Sequence, residues 1–153
     1  IFPGVGEASS AIKKLRSKEL DKLIPMLKQP VLGICLGMQL LCNFSEEGNT
    51  KCLGVFDVSV KRFNDKLKVP QVGWNTISSL KTKLFEGVLE NEYMYLVHSY
   101  YVPVIKETIA ISHYGCRYST SIYKNNFTGV QFHPEKSANV GGIVLNNFLI
   151  NKK

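Results

Sequence analysis

The chain reads as an α/β layered domain built on a mixed, mostly parallel sheet. Three observations predict this. Helical periodicity occupies both ends of the chain, a short and wholly apolar run at residues 31–34 leads straight into a glycine turn, and short alternating or apolar stretches fill the middle. Helices that bracket short strands in this way cover the faces of a sheet.

In order, Ile1-Phe2-Pro3-Gly4-Val5-Gly6 reads as the end of a buried strand running into a glycine-rich loop, and Ile12, Leu15, Leu20, Leu23 and Ile24 then recur at helical spacing. Residues 31–34 form a strand and residues 36–42 a helix. Residues 53–62 and 69–77 alternate apolar and polar side chains well enough for strands or hairpins. Further strands are expected at 93–97, 108–112, 119–123 and 127–132, the last halted by Pro134, which lacks a ladder N–H. Residues 139–149 place Val140, Ile143, Val144, Phe148 and Leu149 at helical spacing. No repeat, low-complexity run or linker interrupts the pattern, so residues 1–153 form one domain.

Composition narrows the function classes. With 153 residues and 44% hydrophobic content the chain can bury a real core. No apolar stretch approaches the roughly 20 residues that span a bilayer, which argues against a membrane role. The net charge of +7 is spread over scattered positions such as Lys13, Lys14, Arg16, Lys61, Lys66, Lys81 and Lys152, with no recognition motif for nucleic acid. The four cysteines, Cys35, Cys42, Cys52 and Cys116, show neither metal-ligand spacing nor a disulfide framework, so no metal is expected. A reducing, cytoplasmic setting suits a free thiol. Cys42 falls in the same helical segment as Cys35 and is expected to pack in the core.

Cys35 stands at the apex of Gly33-Ile34-Cys35-Leu36-Gly37, between the apolar Val31-Leu32 and Met38-Gln39-Leu40-Leu41. Strand, sharp turn and helix with flanking glycines make a nucleophile elbow. A thiol there lies at a helix N-terminus, whose positive end favours thiolate, with the Leu36 N–H beside it as an oxyanion donor. Alternatively, it is a buried strand cysteine with incidental glycines. Near the C-terminus, His133 and Glu135 leave a strand end together around Pro134. A cysteine nucleophile needs a base, and the base an orienting partner; His133 and Glu135 supply both. The Gly4–Gly6 loop can turn an N–H of Val5 or Gly6 toward a neighbouring site as a second oxyanion donor, although the same letters could be a plain strand-to-helix turn.

Together, Pro3-Gly4-Val5-Gly6, the elbow through Gln39 and Gln131-Phe132-His133-Pro134-Glu135-Lys136-Ser137 resemble the class I, or triad, glutamine amidotransferases. Lys68-Val69-Pro70-Gln71-Val72-Gly73-Trp74-Asn75 and Tyr95-Leu96-Val97-His98-Ser99-Tyr100-Tyr101 look like the glutaminase subunits of imidazole glycerol phosphate synthases. Chains of that family carry a strand, a helix and a further stretch before the glycine loop. This one starts at the loop without methionine, so it reads as a fragment lacking an N-terminal strand and helix of the three-layer fold.

The resemblance implies glutamine hydrolysis through a γ-glutamyl thioester, with no cofactor. The catalytic residues would be Cys35, His133 and Glu135, and the oxyanion donors would come from Val5, Gly6 and Leu36. Gly4, Gln39, Glu47, His98, Ser99 and Tyr100 would bind substrate, although Gln39 also reads as an exposed helix residue and Glu47 as a solvated loop charge. The His98 side chain reads equally well as structural. The partner would be a (β/α)8-barrel cyclase that uses the ammonia in histidine biosynthesis, forming a heterodimer. Trp74, Asn75, Tyr95 and Lys136 are the partner-facing candidates, with Trp74 as core, Asn75 as a turn residue and Lys136 as a solvated charge standing against that. Gly4 and Gly6 would let the peptides around Val5 rotate, making the loop a switch that keeps the isolated subunit nearly silent.

Three rival readings stay open. A glutaminase of purine, chorismate-derived or pyridoxal synthesis would share the triad but lack Gly73-Trp74-Asn75. A paralogue in nucleotide-sugar or lipopolysaccharide synthesis would keep nearly everything. A catalytically idle interaction module would keep the fold without the chemistry, against which the intact Cys35, His133 and Glu135 argue.

Overall fold

The structure, a computed structural model, describes residues 1–150. From the N-terminus its elements are β1 (Phe2–Gly4), α1 (Ala8–Arg16), α2 (Leu20–Leu23), β2 (Val31–Cys35), α3 (Leu36–Leu40), β3 (Cys42–Ser45), β4 (Thr50–Lys51) and β5 (Phe56–Arg62). They continue with β6 (Gln71–Thr76), β7 (Tyr93–His98), β8 (Tyr100–Tyr101), β9 (Thr108–Tyr114), β10 (Cys116–Lys124), β11 (Phe127–Val130) and α4 (Ala138–Ile150). The main sheet has the order β1-β2-β11-β10-β9, a smaller one the order β4-β3-β5-β8, and β6 and β7 form a separate pair.

Every residue of β2 is buried, and its side chains alternate between two apolar layers. Leu32 and Ile34 pack with Val130, Phe132, Met94 and Leu96, and with Val144 of α4. Val31 packs on the other face with Met38, Leu41, Phe56 and Val60. A wholly apolar strand is what burial on both faces demands, and each fully buried side chain of this size contributes about 1.5–3 kcal/mol.

The layered α/β architecture with a mixed sheet agrees with the sequence reading, but the sheet is not mostly parallel. β1–β2 and β2–β11 are parallel, whereas β11–β10 and β10–β9 are antiparallel. The parallel pairs surround Cys35, and β9 and β10 extend the sheet as a hairpin turning at Gly115 (φ 68°). β1 is the sheet's edge and only half-buried. The helix after Cys35 ends at Leu40 rather than continuing to residue 42. Its freed carbonyls are taken by the segment between β4 and β5: Leu53 N–H donates to Leu40 O at 2.9 Å, and Val55 N–H to Leu41 O at 2.9 Å. Cys42 is therefore buried, as expected, but as the first residue of a strand.

Candidate active site

β2 ends where its alternation must break. Cys35 has φ 51° and ψ −109°, a conformation that an L-residue holds only when its surroundings enforce it. The enforcement is close backbone packing. A Cβ at Gly37 would lie 1.9 Å from Phe2 O, one at Gly33 2.9 Å from Gly37 O, and one at Gly4 2.9 Å from Gly37 N. Gly4 thus serves close approach to α3 rather than loop rotation, and Gly6, with φ 103° and open space around it, is the residue suited to loop rotation. Val5 between them is 85% exposed.

The thiol is nearly enclosed. Burial pushes it up to about 11, with the Leu36 N–H and the Gln131 amide opposing and the Glu135 and Glu47 carboxylates adding to the rise. The expected thiolate preference at the start of α3 is therefore outweighed at rest, since desolvation acts on the whole charge while a five-residue helix offers one turn of dipole. Cys35 Sγ donates to Val97 O at 3.7 Å. Among the described residues no hydrogen bond joins it to His133, although both line one cavity of about 320 Å³.

His133 follows β11 and is buried. Its Nδ1 lies 2.8 Å from Glu135 Oε1, across the short helical turn Pro134–Lys136. Glu135 is half exposed. Taking Nδ1 as the protonated nitrogen leaves Nε2 as the acceptor, the tautomer a general base requires. The structure thus pairs His133 with the Glu135 carboxylate and places the Cys35 thiol in the same cavity as His133, turned toward a carbonyl.

Gly4, Val5, Gly6, Leu36, Gln39, Glu47, His98, Ser99 and Tyr100 also line this cavity. Gln39 is buried, not an exposed helix residue. Both its amide hydrogens are committed, to Tyr100 O and to Gln131 Oε1 at 2.9 Å each, which leaves Oε1 to accept from a ligand. Glu47 is half-buried rather than a solvated loop charge. Its Oε2 accepts from Ala8 N–H at 2.9 Å, and burial raises its pKa. His98 Nδ1 lies 2.7 Å from Tyr100 O, its Nε2 has no partner among the described residues, and burial lowers its pKa to about 4. His98 is therefore a neutral residue in the wall between the cavity and the rings of Phe63 and Tyr118.

The partner-facing candidates divide. Trp74 is 53% exposed, not core, and meets Tyr95 edge-on at 5.9 Å between ring centroids; Lys136 Nζ stands 6.0 Å over the Tyr95 ring. Val72 and Tyr93, unmarked in the sequence reading, extend the same face, because residues two apart on a strand share a side. Asn75 does not join them. One residue on from Trp74, it turns to the opposite face of β6, where its Nδ2 donates to His113 O at 3.0 Å and clamps β6 to β9.

Sequence reasoning also missed Gln131, Ser137 and the Val97 carbonyl. Gln131 and Ser137 stand inside the motif around His133, so proximity to that histidine was their only signal. The Val97 carbonyl had none.

Comparison with known proteins agrees with this geometry. The family described as Glutamine amidotransferase class-I matches residues 1–152. The imidazole glycerol phosphate synthase subunit HisH of Bacteroides fragilis is 54% identical over 152 residues, covering 97% of this chain and 78% of the relative. HisH of Haemophilus influenzae is 47% identical over 151 residues, covering 97% and 76%. A glutamine amidotransferase from Thermotoga maritima shares the fold, with a TM-score of 0.63 at 20% identity over 96% of this chain and 60% of that one. With an elbow cysteine, a carboxylate-paired histidine lining the same cavity and a family match over nearly its whole length, the chain belongs to the class-I glutamine amidotransferases.

Proposed function

We propose that this chain is the glutaminase subunit of an imidazole glycerol phosphate synthase, working in the cytoplasm and feeding ammonia to a (β/α)8-barrel cyclase in histidine biosynthesis. His133, paired with Glu135 at 2.8 Å and lining one cavity with a strained and glycine-packed Cys35, carries the reading. The relatives named as subunits of that synthase support the pathway and the need for a partner.

In the reaction, the Cys35 thiol turns from Val97 O and gives its proton to His133 Nε2. The sulfur attacks the amide carbon of glutamine. The Leu36 N–H already lies against Cys35 and, with an N–H of Val5 or Gly6, would meet the oxyanion. His133 then protonates the leaving nitrogen, ammonia departs and a γ-glutamyl thioester remains. Water, deprotonated by His133, attacks the thioester, releasing glutamate and restoring the thiol. Gln39 Oε1 and the Glu47 carboxylate suit the substrate's ammonium group. The raised pKa of Cys35 fits a subunit that waits protonated until substrate and partner are in place.

The exposed Val72, Trp74 and Tyr93 and the half-buried Tyr95, with Lys136 at the rim, are the face proposed to receive the cyclase. Exposed aromatics beside a cation are what binding hot spots are made of. The test is glutamate release by the chain with and without a barrel cyclase. Cyclase-dependent activity that Cys35→Ala abolishes is expected. Activity that survives that substitution would defeat the mechanism, and failure of every cyclase to bind or stimulate would defeat the pathway.

A further inference from the structure

Gln131 is the first residue beyond β11, two before His133, and its side chain is wholly buried. Its backbone N–H donates to Thr120 O at 2.8 Å, which holds the main chain against β10. Its carboxamide is used at both ends: Nε2 donates to Cys35 Sγ at 3.6 Å, and Oε1 accepts from Gln39 Nε2 at 2.9 Å. Gln39 Nε2 donates in turn to Tyr100 O, a carbonyl also approached by His98 Nδ1. Burying an amide this completely is unfavourable unless both ends are bonded, and methionine would fill the same space without that demand. The polarity has a purpose because the group at its donor end is the nucleophile.

We infer that Gln131 is a positioning residue for the glutaminase reaction, its amide N–H aiming the Cys35 sulfur and stabilising it as thiolate while Gln39 holds that amide in the required orientation. The inference rests on the reading of Cys35 as nucleophile. Gln39 sets the direction: a group that only donates toward Gln131 must meet its oxygen, so the nitrogen faces sulfur. A donor to sulfur gains strength when the sulfur becomes anionic. The other titratable groups facing the thiol are Glu47, Glu135, His98, His133 and Lys136. The two carboxylates oppose its ionisation and burial keeps His98 neutral, so the Gln131 amide, beside the Leu36 N–H, acts as a counterweight.

The experiment compares the full chain with Gln131→Met and Gln131→Glu. Iodoacetamide alkylation of Cys35 at pH 8 is read by peptide mass, beside kcat and KM for glutamine with the cyclase present. Methionine keeps the volume and removes both bonds. Alkylation should slow about tenfold, as a one-unit rise in thiol pKa requires, and kcat should fall about tenfold with KM nearly unchanged. Glutamate, which turns an acceptor toward sulfur, should slow alkylation further. A purely structural role would loosen the site and speed alkylation; folded variants that alkylate at the wild-type rate or faster overturn the proposal. If neither variant folds, the wild type decides. In protein labelled with 15N-glutamine, the Gln131 side-chain amide resonance should move when Cys35 is alkylated, and an unmoved resonance overturns the proposal. A wild type with neither glutaminase activity nor labelling of Cys35 by an electrophilic glutamine analogue would instead defeat the reading of the nucleophile.

Discussion

His133 is fastened to Tyr95 through the main chain. The His133 N–H donates to Tyr95 O at 2.9 Å, and the Ser137 hydroxyl completes a second link, accepting from Tyr95 N–H at 3.0 Å and donating to His133 O at 2.7 Å. The proposed base therefore hangs on β7, the strand that turns the Tyr95 ring out beside Trp74 and under Lys136. A partner seated on that face would press on the residue that anchors the base.

Ser137→Ala tests the anchor. It leaves the Tyr95 N–H without its partner in a buried position, which should cost about 1–3 kcal/mol of stability. Urea unfolding checks this. The cyclase-stimulated kcat should fall while KM for glutamine changes little, because Ser137 lies behind the base and does not line the cavity.

Glu135→Gln tests the tautomer. An amide can donate to His133 Nδ1, which would leave Nε2 protonated and unable to take the thiol proton. Glutamine turnover should fall about 100-fold with little change in KM, less than for an enclosed carboxylate since Glu135 is half exposed. Steady-state kinetics with the partner present measures it.

His98 makes stability depend on pH. Burial holds its imidazole down at about 4 from an ordinary value of 6.5, so the folded state favours the neutral ring. As pH falls below 6.5 the unfolded chain takes up the proton first, so the stabilisation is fully present above 6.5 and is lost progressively toward 4. Between pH 7.5 and pH 5 the wild type should lose about 2 kcal/mol more than His98→Asn. Denaturant titrations of both proteins at the two pH values give the difference.

Two glycine substitutions should separate close packing from conformational freedom. Gly37→Ala drives a methyl to 1.9 Å from Phe2 O and should prevent α3 from seating on β1, with loss of folding or of Cys35 reactivity. Gly142→Ala meets nothing within 4 Å in α4 and should stabilise by about 0.5–1 kcal/mol. Thermal melts of the pair check both signs.

What could be read without coordinates was whatever short-range chemistry dictates. The elbow at Cys35 follows from backbone sterics over five residues, and the alliance of His133 with Glu135 from a two-residue spacing stiffened by Pro134. The runs at 31–34 and 139–149 announce strand and helix through their own periodicity. Long-range packing settled the rest. Which face of β6 reaches solvent, separating Trp74 from Asn75, depends on β9 lying behind it. The end of the elbow helix at Leu40 depends on carbonyls captured by residues 53–56. The resting thiol, protonated and turned toward Val97 O with the Gln131 amide at its back, depends on three segments far apart in the chain closing over one sulfur. Desolvation belongs to that enclosure, and no local pattern of residues encodes it.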